Sequence, residues 1–232
     1  MPIIGLCADW DVEKQRPELT NSYVEAVTMA GGTPIILPLV KSDATRLEML
    51  DALDGIVFTG GDDLESARFN QPQHKKSDKP NLMRDEQEYF LMNNVIKRRM
   101  PALCICRGMQ LLNCFLGGDM YQDIEEMLDT NIDHAQFKIS NGFIHYVDTV
   151  KDSRLYNIVN KERLNVNSRH HQAVKNISPK LRANAISQDG IVEGLEFIED
   201  MPILALQWHP ESLVLRDESS RKIFAWLIDT CK

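Results

Sequence analysis

Three short stretches of this 232-residue chain carry side chains able to do covalent chemistry. "ALCICRGMQLLN" (102–113) holds Cys104 and Cys106, with Gly108 two residues later and an apolar run behind it. A thiol at a sharp turn between strand and helix is exposed and conformationally strained, and the positive end of the helix favours thiolate over thiol. Cys106 occupies that turn, whereas Cys104 falls inside the strand, where a thiol behaves as a small inert hydrophobe. "LALQWHPES" (204–212) supplies a base and an orienting group. Pro210 keeps His209 extended, so the Glu211 side chain, two residues on, projects to the same side. Its carboxylate can bond one ring nitrogen and leave the other to face the thiol. "FTGGDD" (58–63) adds Gly60 and Gly61, whose backbone amides can approach a ligand closely. One of them, with the amide of Arg107, can bind the oxyanion of a tetrahedral intermediate.

The elements that must position these groups are readable from apolar patterning. "PIIGLCA", "TPIILPL", "DGIVFTG" and "PALCI" are short continuous apolar strands. They alternate with helical stretches at "NSYVEAVTMAGG", "SDATRLEMLDAL", "RDEQEYFLMNNVIKRR" and the segment from Gly108 onward. Ser22 and Glu25 have capping-box spacing, Leu47, Leu50 and Leu53 form one stripe, and Phe90, Val95 and Ile96 share a face. Such alternation predicts an α/β fold: a three-layer open sheet, mostly parallel, covered by helices on both faces. Ligands in such sheets bind beyond the carboxyl ends of the strands, which is where Cys106 falls. "FIHYVDTV", "RLNVNS", "LRANAIS", "IVEGLEFI" and "ILALQW" follow with little helix between them, predicting antiparallel strands in the C-terminal half. An amphipathic helix, "SRKIFAWLIDTC", closes the chain. "LESARFNQPQHKKSDKP" (64–80) has no period and reads as a long functional loop. No linker or repeat interrupts the pattern, so one domain is expected over residues 1–232.

Composition excludes several classes. A net charge of −8 argues against nucleic acid and anionic membrane as partners, because both need clustered Lys and Arg. The one basic cluster, Lys75, Lys76 and Lys79, reads as solvated loop. No apolar run suits a membrane span, and the first residues lack a secretion signal. Five cysteines at 7, 104, 106, 114 and 231 make no disulfide framework, which points to the cytoplasm. Cys104 and Cys106 as a metal clip would need further ligands, and no second Cys/His pair has a familiar spacing, so no metal is expected.

Taken in order, "TGGDD", "LCICRGMQLLN" and "QWHPE" resemble the class I glutamine amidotransferase superfamily, of flavodoxin-like fold with a Cys-His-Glu triad. Further motifs are similar to the γ-glutamyl-γ-aminobutyrate hydrolase family of polyamine breakdown: "GGDMYQDI", an isolated His in "DHAQ", "VNSRHHQAV" and "DGIVEG". The resemblance implies Cys106 as nucleophile, His209 as general base and acid, and Glu211 as the residue orienting it. It implies oxyanion amides from Gly61 and Arg107, and substrate contacts from Gly60, Gln110, Ser168, His170, His171 and Gln172. Cofactors are none, the partner is a small-molecule γ-glutamyl substrate, and a homodimer is admitted. The implied reaction is hydrolysis of a γ-glutamyl amide through a γ-glutamyl thioester, giving glutamate and an amine. Two alternatives stay open: a glutaminase component feeding ammonia to a separate synthetase, and a catalytically silent sensor of γ-glutamyl compounds. The chain departs from the family pattern at Cys104, where glycine is usual, and in the loop after Gly61, which borders the leaving-group side.

Overall fold

A computed structural model describes residues 1–11, 14, 16–138 and 142–231. β1 (Ile3–Cys7) opens the chain and is followed by a small hairpin of β2 (Asp9–Asp11) and β3 (Arg16–Glu18). Then come α1 (Asn21–Met29), β4 (Thr33–Leu37), α2 (Asp43–Asp51), β5 (Gly55–Phe58) and, beyond the long loop, α3 (Leu82–Arg98). β6 (Ala102–Ile105) runs directly into α4 (Arg107–Phe115). After β7 (Met120–Tyr121) and α5 (Ile124–Met127) the chain turns strand-rich. It forms β8 (His145–Thr149), α6 (Arg154–Val159), β9 (Arg163–Val166), β10 (Ala173–Val174), β11 (Leu181–Ser187), β12 (Val192–Phe197) and β13 (Ile203–Leu206), and ends with α7 (Glu218–Thr230).

The main sheet has the order β4-β1-β5-β6-β13-β12-β11-β8-β9, with β10 joining through β12 and β7. β4, β1, β5, β6 and β13 are parallel, and β12, β11, β8 and β9 continue antiparallel in the same sheet. The mixed sheet expected from the strand patterning is therefore present, with its antiparallel half joined edge to edge. One face packs Phe58, Cys104, Ala205, Leu91, Met92 and Met109 into a core under α3 and α4. The other packs Ile4, Val57, Leu103, Leu204, Phe224 and Leu227 under α1 and α7. Alternate residues of one strand serve opposite faces, which is why the parallel strands are apolar throughout.

Several local expectations are corrected. α1 is capped at Thr20, which makes no side-chain cap bond, so Ser22 and Glu25 do not form a capping box. Helix α6 and the β2–β3 hairpin carry too few residues to show a period. β4 is an edge strand, and Ile35 and Ile36 are 42% and 45% exposed there. The Lys75–Lys76 cluster is not simply solvated: Lys75 pairs with Glu126 (3.1 Å) and Lys76 with Glu125 (2.8 Å), pinning the long loop to α5. Among the described residues no helix is long and apolar enough to cross a membrane.

Because β5, β6 and β13 are parallel neighbours, their carboxyl ends open on one edge. That edge receives the Thr59–Gly60–Gly61 turn, Cys106 and the Gln207–His209 segment together.

Candidate active site

Cys106 is the N-cap of α4, with φ 51° and ψ −105°. A non-glycine residue in that region is strained and persists only where the surroundings impose it. Two contacts do so here. The Cys106 N–H donates to Leu206 O at 2.7 Å, tying the turn to β13. Gly108 lies so close to β5 that a Cβ would stand 2.3 Å from Phe58 O, so only glycine lets α4 start there. Cys104 points into the core beside Phe58 and Ala205, fully buried, and burial pushes its thiol pKa well up.

His209 Nδ1 is 2.8 Å from Glu211 Oε1. Burial opposes the imidazolium, but the charges of Glu211 and Cys106 and hydrogen bonds to both outweigh it, raising the His209 pKa to about 9. Asn167 holds the His209 backbone from both sides, accepting its N–H at 2.8 Å and donating to its carbonyl at 2.9 Å. Arg169 donates to Ser212 Oγ at 2.9 Å and reaches Glu211 Oε1 at 3.4 Å. Gln207 Nε2 donates to Cys106 Sγ at 3.4 Å, while its Oε1 accepts from Gln110 Nε2 at 3.3 Å.

The glycine turn is braced from beneath. The Gly60 N–H donates to Tyr23 Oη at 3.0 Å, and a Cβ at Gly60 would meet His209 Cε1 at 2.8 Å. Arg84 donates to the carbonyls of Thr59 (3.2 Å) and Gly60 (2.9 Å) and pairs with Glu88 (2.8 Å) and Asp9 (2.9 Å). The Arg107 side chain turns away from the thiol and pairs with Asp85 and Glu88. Four charged groups, Arg84, Asp85, Glu88 and Arg107, are thus buried together between the glycine turn and the elbow. Two cations and two anions satisfy one another, the condition under which charges tolerate burial.

A cavity of about 300 Å³ opens over the thiol, lined by Gly61, Cys106, Gln110, His170, His171, Gln172 and His209 among others. A second, of about 570 Å³, adjoins it through Gly61, Asp62, Arg169 and His209 and includes Gly60 and Tyr23. Of the residues singled out from sequence, Ser168 stands apart: it is fully buried and its Oγ faces His134 Nδ1 at 3.2 Å. His171 bridges Asp63 (3.1 Å) and Asp123 (3.3 Å), and these contacts raise its pKa to about 9 despite burial. The sequence reading missed Tyr23, Arg84, Asp85, Glu88, Asn167 and Gln207. Of these, Asn167 lay within the quoted motif "VNSRHHQAV" and Gln207 within "QWHPE", but neither was given a role; the rest belong to stretches that read as ordinary helix.

Fold and site together define a class I glutamine amidotransferase-like α/β enzyme. The chain belongs to the Peptidase C26 family, whose model matches residues 2–211, and is a hydrolase acting on amide bonds. It is 35% identical to Protein NtpR of Enterococcus hirae over 98% of both chains. It is 32% identical to the γ-glutamyl-γ-aminobutyrate hydrolase PuuD of Escherichia coli K12, covering all of this chain and 94% of that one. A solved structure from Thermoplasma acidophilum, named as a candidate GMP synthase component, superposes with a TM-score of 0.68. It covers 100% of this chain and 94% of its own at 19% identity, a likeness of fold.

Proposed function

We propose that the chain hydrolyses the γ-amide bond of a small γ-glutamyl compound, with Cys106 as nucleophile and γ-glutamyl-γ-aminobutyrate as the reference substrate. The observation carrying this reading is the strained Cys106 beside the buried His209–Glu211 pair, under a cavity sized for a small molecule. The Cys106 thiolate attacks the γ-carbonyl carbon, and the carbonyl electrons move onto oxygen. Tyr23 already engages the Gly60 amide, so the oxyanion falls to the amides of Gly61 and Arg107. His209 gives its proton to the amine nitrogen, the C–N bond breaks and a γ-glutamyl thioester remains. Water then loses a proton to His209 and attacks the thioester, the C–S bond breaks, and glutamate leaves with the thiolate restored.

The test is a panel of γ-glutamyl-γ-aminobutyrate, γ-glutamyl amines, γ-glutamyl peptides and glutamine, run with wild type and Cys106→Ala. Turnover of at least one γ-glutamyl amide, abolished in the variant, is expected. Turnover that survives Cys106→Ala would overturn the mechanism. Glutamine hydrolysis rising only with a synthetase partner would favour the ammonia-supplying reading, and binding without turnover the sensor.

A further inference from the structure

Beside the cavity, which His170 also lines, three imidazoles and one carboxylate are buried together. His134 lies in the loop before β8, His145 opens β8, His170 precedes β10 and Glu193 lies in β12. Their side chains are at most 2% exposed. Glu193 Oε1 stands 3.4 Å from His134 Nδ1, 3.7 Å from His145 Nε2 and 3.4 Å from His170 Nε2. Neither Glu193 oxygen has a hydrogen-bond partner, and neither does His145 Nε2 or His170 Nε2.

The outer nitrogens decide what the inner ones present. His145 Nδ1 faces Tyr146 O at 3.2 Å and His170 Nδ1 faces Gln172 O at 2.9 Å. Carbonyl oxygens only accept, so each Nδ1 carries its ring's proton. His134 Nε2 lies 2.9 Å from Asp189 Oδ2, a carboxylate that also receives the hydroxyls of Thr130 and Ser187. The remaining nitrogen of each ring faces the same Glu193 oxygen, and Ser168 Oγ reaches only the one on His134. A buried carboxylate among ring nitrogens at this spacing needs positive charge beside it, which a proton or a metal ion supplies. Two ligands bound to zinc at about 2.0–2.1 Å with tetrahedral angles sit about 3.4 Å apart; Glu193 Oε1 stands at that distance from His134 Nδ1 and 3.7 Å from His145 Nε2, and these three ligand atoms all lie within 4.8 Å of one another. The outward hydrogen bonds of His145 to a carbonyl and of His134 to a carboxylate are those that orient metal-binding histidines.

We propose that His134, His145 and Glu193 bind one divalent first-row transition ion, with His170 packed beside them and zinc the first choice for two imidazoles and a carboxylate. The three ligand side chains are at most 2% exposed, so the ion is buried in the fold and structural. It joins β8 and β12 of the antiparallel half to the loop before β8, and His134 packs against His170 of the 168–172 segment. That segment delivers His170, His171 and Gln172 to the cavity, and Gln172 O accepts from both His170 Nδ1 (2.9 Å) and Gln110 Nε2 (3.5 Å).

The experiment is equilibrium dialysis of the whole chain, stripped with chelator, against zinc and then cobalt, read by elemental analysis, cobalt absorbance and thermal midpoint. Uptake of one ion per chain is expected, with the intense visible bands of tetrahedral cobalt and a raised midpoint. His145→Gln and Glu193→Gln should each lower affinity at least tenfold. Asp63, Asp78 and His171 form another cluster that could take the ion, so Asp63→Asn is the control and should bind as wild type does. If the two ligand variants fail to fold, the cobalt spectrum and the Asp63→Asn result still decide. No stoichiometric uptake by folded wild type overturns the proposal, as does uptake lost in Asp63→Asn but kept in His145→Gln.

Discussion

Cys104 and Cys106 lie two residues apart, yet their surroundings give them different fates. Cys106 faces Gln207, His209 and the cavity, and Cys104 faces the core. Cys106→Ala should reduce turnover below detection while leaving substrate binding measurable by calorimetry. Cys104→Gly should keep activity but lose about 2 kcal/mol of stability, because it deletes a packed side chain and adds backbone freedom in a strand; denaturant unfolding reads this directly. In the proposed reaction His209 sets the pH behaviour. With its pKa raised to about 9, the proton needed by the leaving amine is held through neutral pH and lost above it. The kcat/KM profile should therefore fall on its alkaline side near pH 9. Glu211→Gln removes a charge that supports the imidazolium while burial remains, so that limb should move to lower pH. The same linkage acts on the fold. A histidine whose folded pKa is raised stabilises fully below its unfolded value of about 6.5, and that contribution disappears as pH climbs through about 9.

Helix α3 braces both the glycine turn and the elbow directly through its side chains. Arg84, Asp85 and Glu88 face inward from its first turns and meet Arg107 at the start of α4, so the two helices are locked by charge. Arg107→Met would take the buried cation from Asp85 and leave Glu88 with Arg84 alone, and a loss of about 3–5 kcal/mol is expected from thermal or denaturant unfolding. If the loss is below about 1 kcal/mol, the network is not holding the elbow. This arrangement also shows what was legible in the sequence. "RDEQE" reads as the polar opening of an exposed helix, because local patterning reports a face and not the partner across it. The elbow was legible because strand, cysteine, glycine and helix are contiguous, and His209 and Glu211 because Pro210 fixes their relation. Gln207 and Asn167 were not, since their contacts with Cys106 and His209 span 101 and 42 residues. The buried His134–His145–Glu193 cluster escaped for the same reason, its members being spread along the chain.

Across the whole molecule, a net charge of −8 is distributed so that part of it frames the entrance to the thiol. Asp9, Asp11, Glu18 and Asp62 line the outer cavity, with Arg169 and His209 as the cationic groups there. Asp9 is paired with Arg84 and Asp11 with Lys14. Burial, together with the neighbouring Asp9, Asp78 and Asp63, pushes the Asp62 carboxyl up, which marks a place where negative charge is crowded. An ammonium on the leaving amine would relieve that crowding, whereas the carboxylate of γ-aminobutyrate would add to it. The chain should therefore prefer γ-glutamyl amines carrying a second positive charge over γ-glutamyl-γ-aminobutyrate. Asp62→Asn should lower kcat/KM for the cationic substrate about tenfold, equivalent to about 1.4 kcal/mol, and leave or raise it for the anionic one. Added salt should narrow the gap between the two substrates in wild type, because exposed charges are screened. Equal kcat/KM values for both substrates at low salt, unchanged in the Asp62 variant, would show that the mouth's charge has no part in choosing the amine.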